Sequence, residues 1–546
     1  MKMEKYLLWG VMVLILAGCL EDKNDFNYQQ INKIDDFDVK NVEKRYSCFL
    51  DETLHLNPDV KMTFDNYTDL SYEWYLENKL VGQEREFDFK ADKTGVFDLL
   101  FVAVDNRSGV RFPYEITVRV ENRGLKGWLV LSRTTANASR LSVVWSRLTN
   151  YYKKDINGEY LLDDKGERIS VDTVLYEGEY LNFVPNLGKG PRRLVENFAY
   201  KYHYYPNMTF WDDEIMVVQD DRCVELNGED YSAVNYAGNE FVGGFPADFQ
   251  PIDAALSWGC KCLLNRDGYC YLSVASVATD LHSGRYSSDP AFAARKFKAV
   301  YPANKAVGPV SNYFLLLDNR NSFYGCADNA FVNSNEPLID IRHNIGELCP
   351  IAYHSKYSKY FRNLKYDVIC CHYDTDLKAK VPWWVCILRE KSTGKYFVHT
   401  FSLELDKTLL QLKIKESYCR EVSSAMFTNY SDVAVFPHKD YFIVANGDEL
   451  WICYYNESHP GTRLGSTGGK QIVSLAAKDL NSDKYGGAHL GVGLEGGEVR
   501  VYEVITDYAT DSHSLRELYK QGGFGDITDM IFKYGSASNL TTTSLF

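Results

Sequence analysis

Short apolar runs separated by tight turns recur along this chain, and Asp440–Asn456 shows the unit most clearly. Tyr441–Ala445 is apolar, Asn446-Gly447-Asp448 is a turn, and Leu450–Tyr455 is apolar again. Asn-Gly readily takes the positive φ that a tight turn between twisted strands requires, so the pattern predicts a β-hairpin. The same unit appears at Trp128–Trp145, Glu214–Leu226, Cys260–Val274, Tyr313–Ala327, Trp383–Leu403 and His489–Val504, which makes seven.

Six of these hairpins follow a further short apolar stretch, such as Ile252–Trp258, Tyr366–Tyr373, Ala425–Phe436 or Gln471–Ala477. The first hairpin has no such leader. Asp526–Tyr534 has the pattern of a leading strand and no hairpin after it, so it is free to serve as the missing strand and close a ring. Four-stranded sheets set radially, each covering its neighbours' edges, are the β-propeller solution to exposed strands. The expectation for residues 125–546 is therefore a β-propeller of about seven blades closed by the C-terminal strand.

The pattern differs upstream. From Asp35 to Asn122, short alternating strands end in Gly95–Asp105, a turn at Asn106–Gly109, and Tyr114–Val120. About ninety residues of this kind suit a small β-sandwich. Trp74 reads as its core tryptophan. Asn122-Arg123-Gly124 is a short linker, and the whole chain is expected to be all-β. A long insertion at Asn150–Gly166 carries Asp155-Ile156-Asn157-Gly158 and Asp163-Asp164-Lys165-Gly166. Neither segment has the alternating oxygen ligands and closing glutamate of a calcium loop, so both read as hairpin turns.

The chain has 546 residues, 45% of them hydrophobic and 14% aromatic, enough for more than one core. Its net charge of −14, with no stripe of Lys and Arg, argues against a nucleic-acid partner. The forty tyrosines fit β-rich packing first and ligand-stacking surfaces second.

The N-terminus is specific. Lys2 and Lys5 precede the apolar run Tyr6–Leu16, which ends in Leu16-Ala17-Gly18-Cys19, a lipobox. The run is too short to span a bilayer. Residues 1–18 are expected to be a lipoprotein signal peptide, Cys19 the lipidated residue, and 19–34 an acidic tether that hangs the chain from a membrane through lipid. The other twelve cysteines fall largely inside predicted strands, where a thiol serves as a small apolar group. A local bridge from Cys260 or Cys262 to Cys270 stays open. No CxxC pair exists, so a structural zinc site has no support.

Several of these features resemble a known family. The acidic Leu20-Glu21-Asp22-Lys23-Asn24-Asp25 after Cys19 resembles the surface-export signal of Bacteroidetes lipoproteins. Tyr72-Glu73-Trp74-Tyr75, the Gly95 turn into its long strand, the Asp105 turn and Ile116-Thr117-Val118-Arg119-Val120 resemble the polycystic-kidney-disease-type (PKD-like) immunoglobulin fold. A lipobox, this domain and a long β-rich remainder are the parts of the PKD-like lipoproteins encoded beside SusC/SusD-type outer-membrane nutrient importers. That resemblance implies an outer-membrane lipoprotein facing the cell exterior, with the transporter complex as partner and an oligopeptide or oligosaccharide as ligand.

Signatures of catalysis are scarce. Arg463–Lys470 lacks the first glycine of a phosphate loop, and Gln471 stands where Ser or Thr is needed. There is no GxSxG and no HExxH. Adjacent acids such as Asp212-Asp213 and Asp220-Asp221 read as solvated turns. The expectation is a non-catalytic binding or docking accessory without cofactor, metal or catalytic residues, with a pure scaffold or a propeller hydrolase or lyase as alternatives. In a propeller, the turn between second and third strands and the connection to the next blade share one face. Two segments read as such connections are dense in aromatics, Tyr200–Trp211 and Tyr353–Tyr366. Tyr204, Tyr205, Trp211, Tyr357, Tyr360 and Phe361 are the candidate contacts, which either stack on ligand or seal the surface between blades and a partner.

Overall fold

In the computed structural model the described residues are 31–64, 69–152, 161–163, 170–197, 202–204, 209–211, 214–228, 231, 233–236, 241–257, 260–274, 286–303, 313–327, 346–376, 381–406, 408–436, 439–455, 461–479, 488–507 and 512–534. Cys19 and its lipobox lie outside them, as do Asp155–Gly158 and Asp164–Gly166 of the long insertion. The chain divides into two compact units at Glu121/Asn122.

The first unit is built on a five-stranded sheet, ordered Arg45–Phe49, Arg111–Glu121, Gly95–Asp105, Leu70–Leu76 and Lys79–Gly82. Two small sheets accompany it, Asp38–Lys40 with Asp59–Lys61 and Thr53–Leu56 with Phe87–Lys90. Trp74 is fully buried between Phe87 and Phe101, and its indole N–H donates to the Glu84 carbonyl at 3.0 Å. The Asp105 carboxylate accepts the amides of Arg107 and Ser108, which fixes the turn expected there.

Among the described residues, the second unit holds seven antiparallel sheets of this hairpin-based kind, six of four strands and one of three. Each is a predicted hairpin with a leading strand on one edge. The leading strands are Asp526–Tyr534, Pro191–Asn197, Pro251–Leu256, Phe297–Tyr301, Tyr366–Asp376, Tyr430–Phe436 and Ile472–Lys478. Asp526–Tyr534 pairs with Lys126–Arg133, so the last strand completes the first sheet as the pattern predicts. The stretch expected to lead the sixth hairpin from Ala425 begins as a strand only at Tyr430, because Ser424–Phe427 is a 3-10 turn that buries Met426 and Phe427.

The cores between sheets close on themselves. Leu129 and Leu131 of the first sheet pack with Leu194 and Val217 of the second, and Met216 and Val218 with Ala254 and Leu263 of the third. Cys262 and Leu264, Leu315 and Leu317, and Trp384 and Phe401 join the third, fourth and fifth. Ile387 meets Val444, and Ile452 meets Leu490. Finally Val501 of the seventh sheet packs with Trp128 of the first. The approach is tight there: a Cβ on Gly491 would lie 2.6 Å from the Trp128 ring. This succession is propeller-like.

All twelve cysteines after Cys19 are free thiols, ten of them buried. The bridge held open between Cys260 or Cys262 and Cys270 is not formed, and burial pushes the Cys262 thiol well up.

Candidate functional site

Every one of the seven leading strands carries a β-bulge near its start. The unpaired residue is Thr528, Arg192, Ile252, Lys298, Ile369, Ser431 or Val473, taking the sheets in order. A bulge adds one residue, bends the strand and re-aims its side chains. The residues directly after the bulges are therefore equivalent: Asp529, Arg193, Asp253, Ala299, Cys370, Asp432 and Ser474. Leading strands from all seven sheets line a single cavity of about 740 Å³, and six of these seven equivalent residues are among its walls.

The charged members of this girdle are held by backbone. Asp529 accepts the Leu194 amide at 2.7 Å, and Asp432 accepts the Leu475 amide at 2.7 Å; each amide belongs to the next sheet's leading strand, just beyond its bulge. Asp253, Asp432 and Asp529 also each accept the amide of the following residue, Ala254, Val433 and Met530, at 2.8, 2.8 and 2.9 Å. Arg193 forms an ion pair with Asp253 at 2.5 Å. Burial raises the Asp432 carboxyl to about 6 and the Asp529 carboxyl to about 7; the backbone donors and Arg193 pull the other way, and Asp432 adds to the rise at Asp529. Tyr301, Tyr373 and Tyr430 also line the cavity.

One end of the sheets is marked by a repeated contact. In six sheets an amide of the turn between second and third strands donates to a carbonyl at the start of that sheet's leading strand: Asp220 to Gly190, Arg266 to Gln250, Asn319 to Lys296, Lys391 to Lys365, Gly447 to Asn429, and Glu495 to Gln471. The turn and the intersheet connection thus share one end in these six sheets, as expected.

The two aromatic segments do not share that end. Tyr353–Tyr366 precedes a leading strand and lies there. Pro191–Asn197 is itself a leading strand, so Tyr200–Trp211 joins first to second strand of one sheet and leaves by the opposite end. Tyr204 and Trp211 belong to the small hairpin Tyr202–Tyr204 with Thr209–Trp211, while Tyr205 and the side chains of all three lie outside the described residues.

Phe361 is not a surface contact. It is fully buried, with its ring against Phe323, His399 and Phe401. Tyr360 is half-buried on His399, and Tyr357 stacks on His354. The Ser358 hydroxyl accepts the His354 amide within this connection, and the Phe323 amide donates to the Phe361 carbonyl at 2.8 Å, which ties it to the fourth sheet. Phe361 and Tyr360 thus pack within the chain itself. The girdle was missed in the sequence, although its signal is there: Ile252-Asp253-Ala254, Ser431-Asp432-Val433 and Thr528-Asp529-Met530 repeat one aspartate at one place in three leading strands.

Residues 19–171 match the PKD-like family. The match covers the first unit and continues into the hairpin of the first sheet. Among solved structures, a quinoprotein alcohol dehydrogenase-like protein of Bacteroides thetaiotaomicron overlays with a TM-score of 0.38 at 10% identity, over 91% of this chain and 99% of that one. Kluyveromyces lactis Hsv2 overlays at 0.36 and 8%, over 72% and 99%. The dihydro-heme d1 dehydrogenase NirN, in complex with DHE, does so at 0.34 and 11%, over 76% of each chain. These overlays are loose, and nothing below rests on them. None of the curated proteins matches the chain.

Proposed function

We propose that this chain is a lipid-anchored, surface-exposed outer-membrane protein that acts as a non-catalytic binding and docking accessory of a SusC/SusD-type nutrient importer. The PKD-like region after Cys19 is its spacer, and residues 125–546 are a seven-bladed propeller that holds an oligopeptide or oligosaccharide ligand in its central cavity. The observation carrying this reading is the cavity itself, walled by leading strands of all seven sheets and ringed by charged and tyrosine side chains. Concave sites with a few convergent polar groups are where small ligands bind.

The docking half of the reading is tested by affinity purification of the tagged, lipidated protein from its own outer membrane, with mass spectrometry of what accompanies it. A TonB-dependent transporter in near-equal amount is the expected companion. Recovery of the protein alone would remove the accessory role and leave independent capture.

A further inference from the structure

The geometry points to a ligand class for the central cavity: we propose that it takes a small organic cation, an alkylammonium or guanidinium group, seated on the acidic arc of Asp432 and Asp529. This deepens the binding-module reading and rests on it.

Charge is the first observation. Within the girdle three carboxylates, Asp253, Asp432 and Asp529, stand with one guanidinium, Arg193, and Arg192 also lines the wall. Arg192 is paired with Asp220 outside the cavity, and Arg193 with Asp253. The hydrogen bonds to Asp432 and Asp529 come from backbone amides, and no side-chain cation touches either carboxylate among the described residues. A low-dielectric channel with an excess of one sign of charge concentrates the opposite charge.

Tyr301 supplies the second. It is 9% exposed and lines the cavity, within electrostatic reach of Arg193 and Asp253, and its hydroxyl makes no hydrogen bond among the described residues. On the cavity wall and without a protein partner among those residues, that hydroxyl is placed to hydrogen-bond a ligand. About 740 Å³ suits a small molecule. The carboxylates already accept two amides each, and no three His, Cys, Asp or Glu side chains converge as a metal set among the described residues, which favours an organic cation over a metal ion.

The test is calorimetric titration of the full chain in detergent at pH 8 with 1,4-diaminobutane and agmatine, using neutral 1,4-butanediol as the shape control. The cations should bind at least tenfold tighter than the diol. Asp432→Asn with Asp529→Asn should lose at least tenfold, and Tyr301→Phe, which removes only the hydroxyl, a smaller factor. Asn keeps an acceptor for the Leu194 and Leu475 amides, and circular dichroism checks the fold of each variant. Cations binding no better than the diol, unchanged binding in the Asn variants, or calcium binding in place of amines would overturn the assignment. Should the cations fail while an oligosaccharide pool is retained and lost on Ala299→Trp, the cation class falls and the binding module stands. If neither binds, both fall.

Discussion

The Asp529 carboxylate accepts the backbone amide of Leu194 at 2.7 Å, joining the last strand of the chain to the leading strand of the second sheet, 335 positions earlier. The bulge at Arg192 interrupts the ladder beside this amide, and the carboxylate of the neighbouring sheet receives it. Asp432 does the same for Leu475 beyond the bulge at Val473.

Because burial raises the Asp529 carboxyl to about 7, the folded state holds its proton more tightly than the unfolded chain does. Stability then falls as pH rises from about 4 to 7. Asp529→Asn removes that charge and keeps one acceptor, for Leu194, while giving up the one that takes the Met530 amide. It should raise stability at pH 8 relative to pH 4, by on the order of 1–3 kcal/mol, and so shift the melting temperature upward at the higher pH. His399 acts with the opposite sign: burial lowers it to about 3, so stability is lost progressively as pH drops below about 6.5. A melting-temperature profile of both variants, Asp529→Asn and His399→Gln, separates the two slopes.

Lys261 and Glu225 form an ion pair at 2.8 Å with both side chains almost wholly buried, 1% and 2% exposed. Glu225→Gln alone strands a buried ammonium and should cost about 3 kcal/mol. The double change Glu225→Leu with Lys261→Met should recover most of it, because desolvation offsets much of a buried pair's attraction. Denaturant melts of the single and double variants measure this; a double variant as unstable as the single would contradict it.

Trp74 has no exposed surface and an indole N–H committed to Glu84. Trp74→Ala should cost the first unit about 3–5 kcal/mol, and Trp74→Phe less. Limited proteolysis followed by mass spectrometry should place the new cuts before residue 122.

Truncation after Gly525 removes the strand that pairs with Lys126–Arg133 and the Phe532 ring packed edge-on against Trp128. An open strand edge beside an uncovered tryptophan invites association. Gel filtration should show aggregated material; a monomer with unchanged melting would refute closure by the C-terminal strand.

The hairpins were legible because short apolar runs and Asn-Gly or Asp-Gly turns are local properties, and Asp526–Tyr534 stood out as a leader without a hairpin. Pro191–Asn197 did not. Its two arginines and one glutamate hide a leading strand, since Arg192 and Arg193 are held by Asp220 and Asp253 of other segments, partners that the local pattern does not display. Missing it placed Tyr200–Trp211 at the wrong end of its sheet. Phe361 misled for a different reason: an aromatic in a polar connection reads as exposed, whereas its burial depends on Phe323, His399 and Phe401 from other strands. The girdle depends on the alignment of seven bulges, which pairing register sets and no single stretch of sequence displays.

The most direct test of the cavity as a binding site compares the full chain with Ala299→Trp, a substitution that puts an indole into the cavity from the fourth leading strand. Both are incubated with oligopeptide and oligosaccharide pools and passed through gel filtration, and the bound material is identified by mass spectrometry. The wild-type chain should retain ligand and Ala299→Trp should not. Equal retention by both, or none by either, would contradict a central binding site.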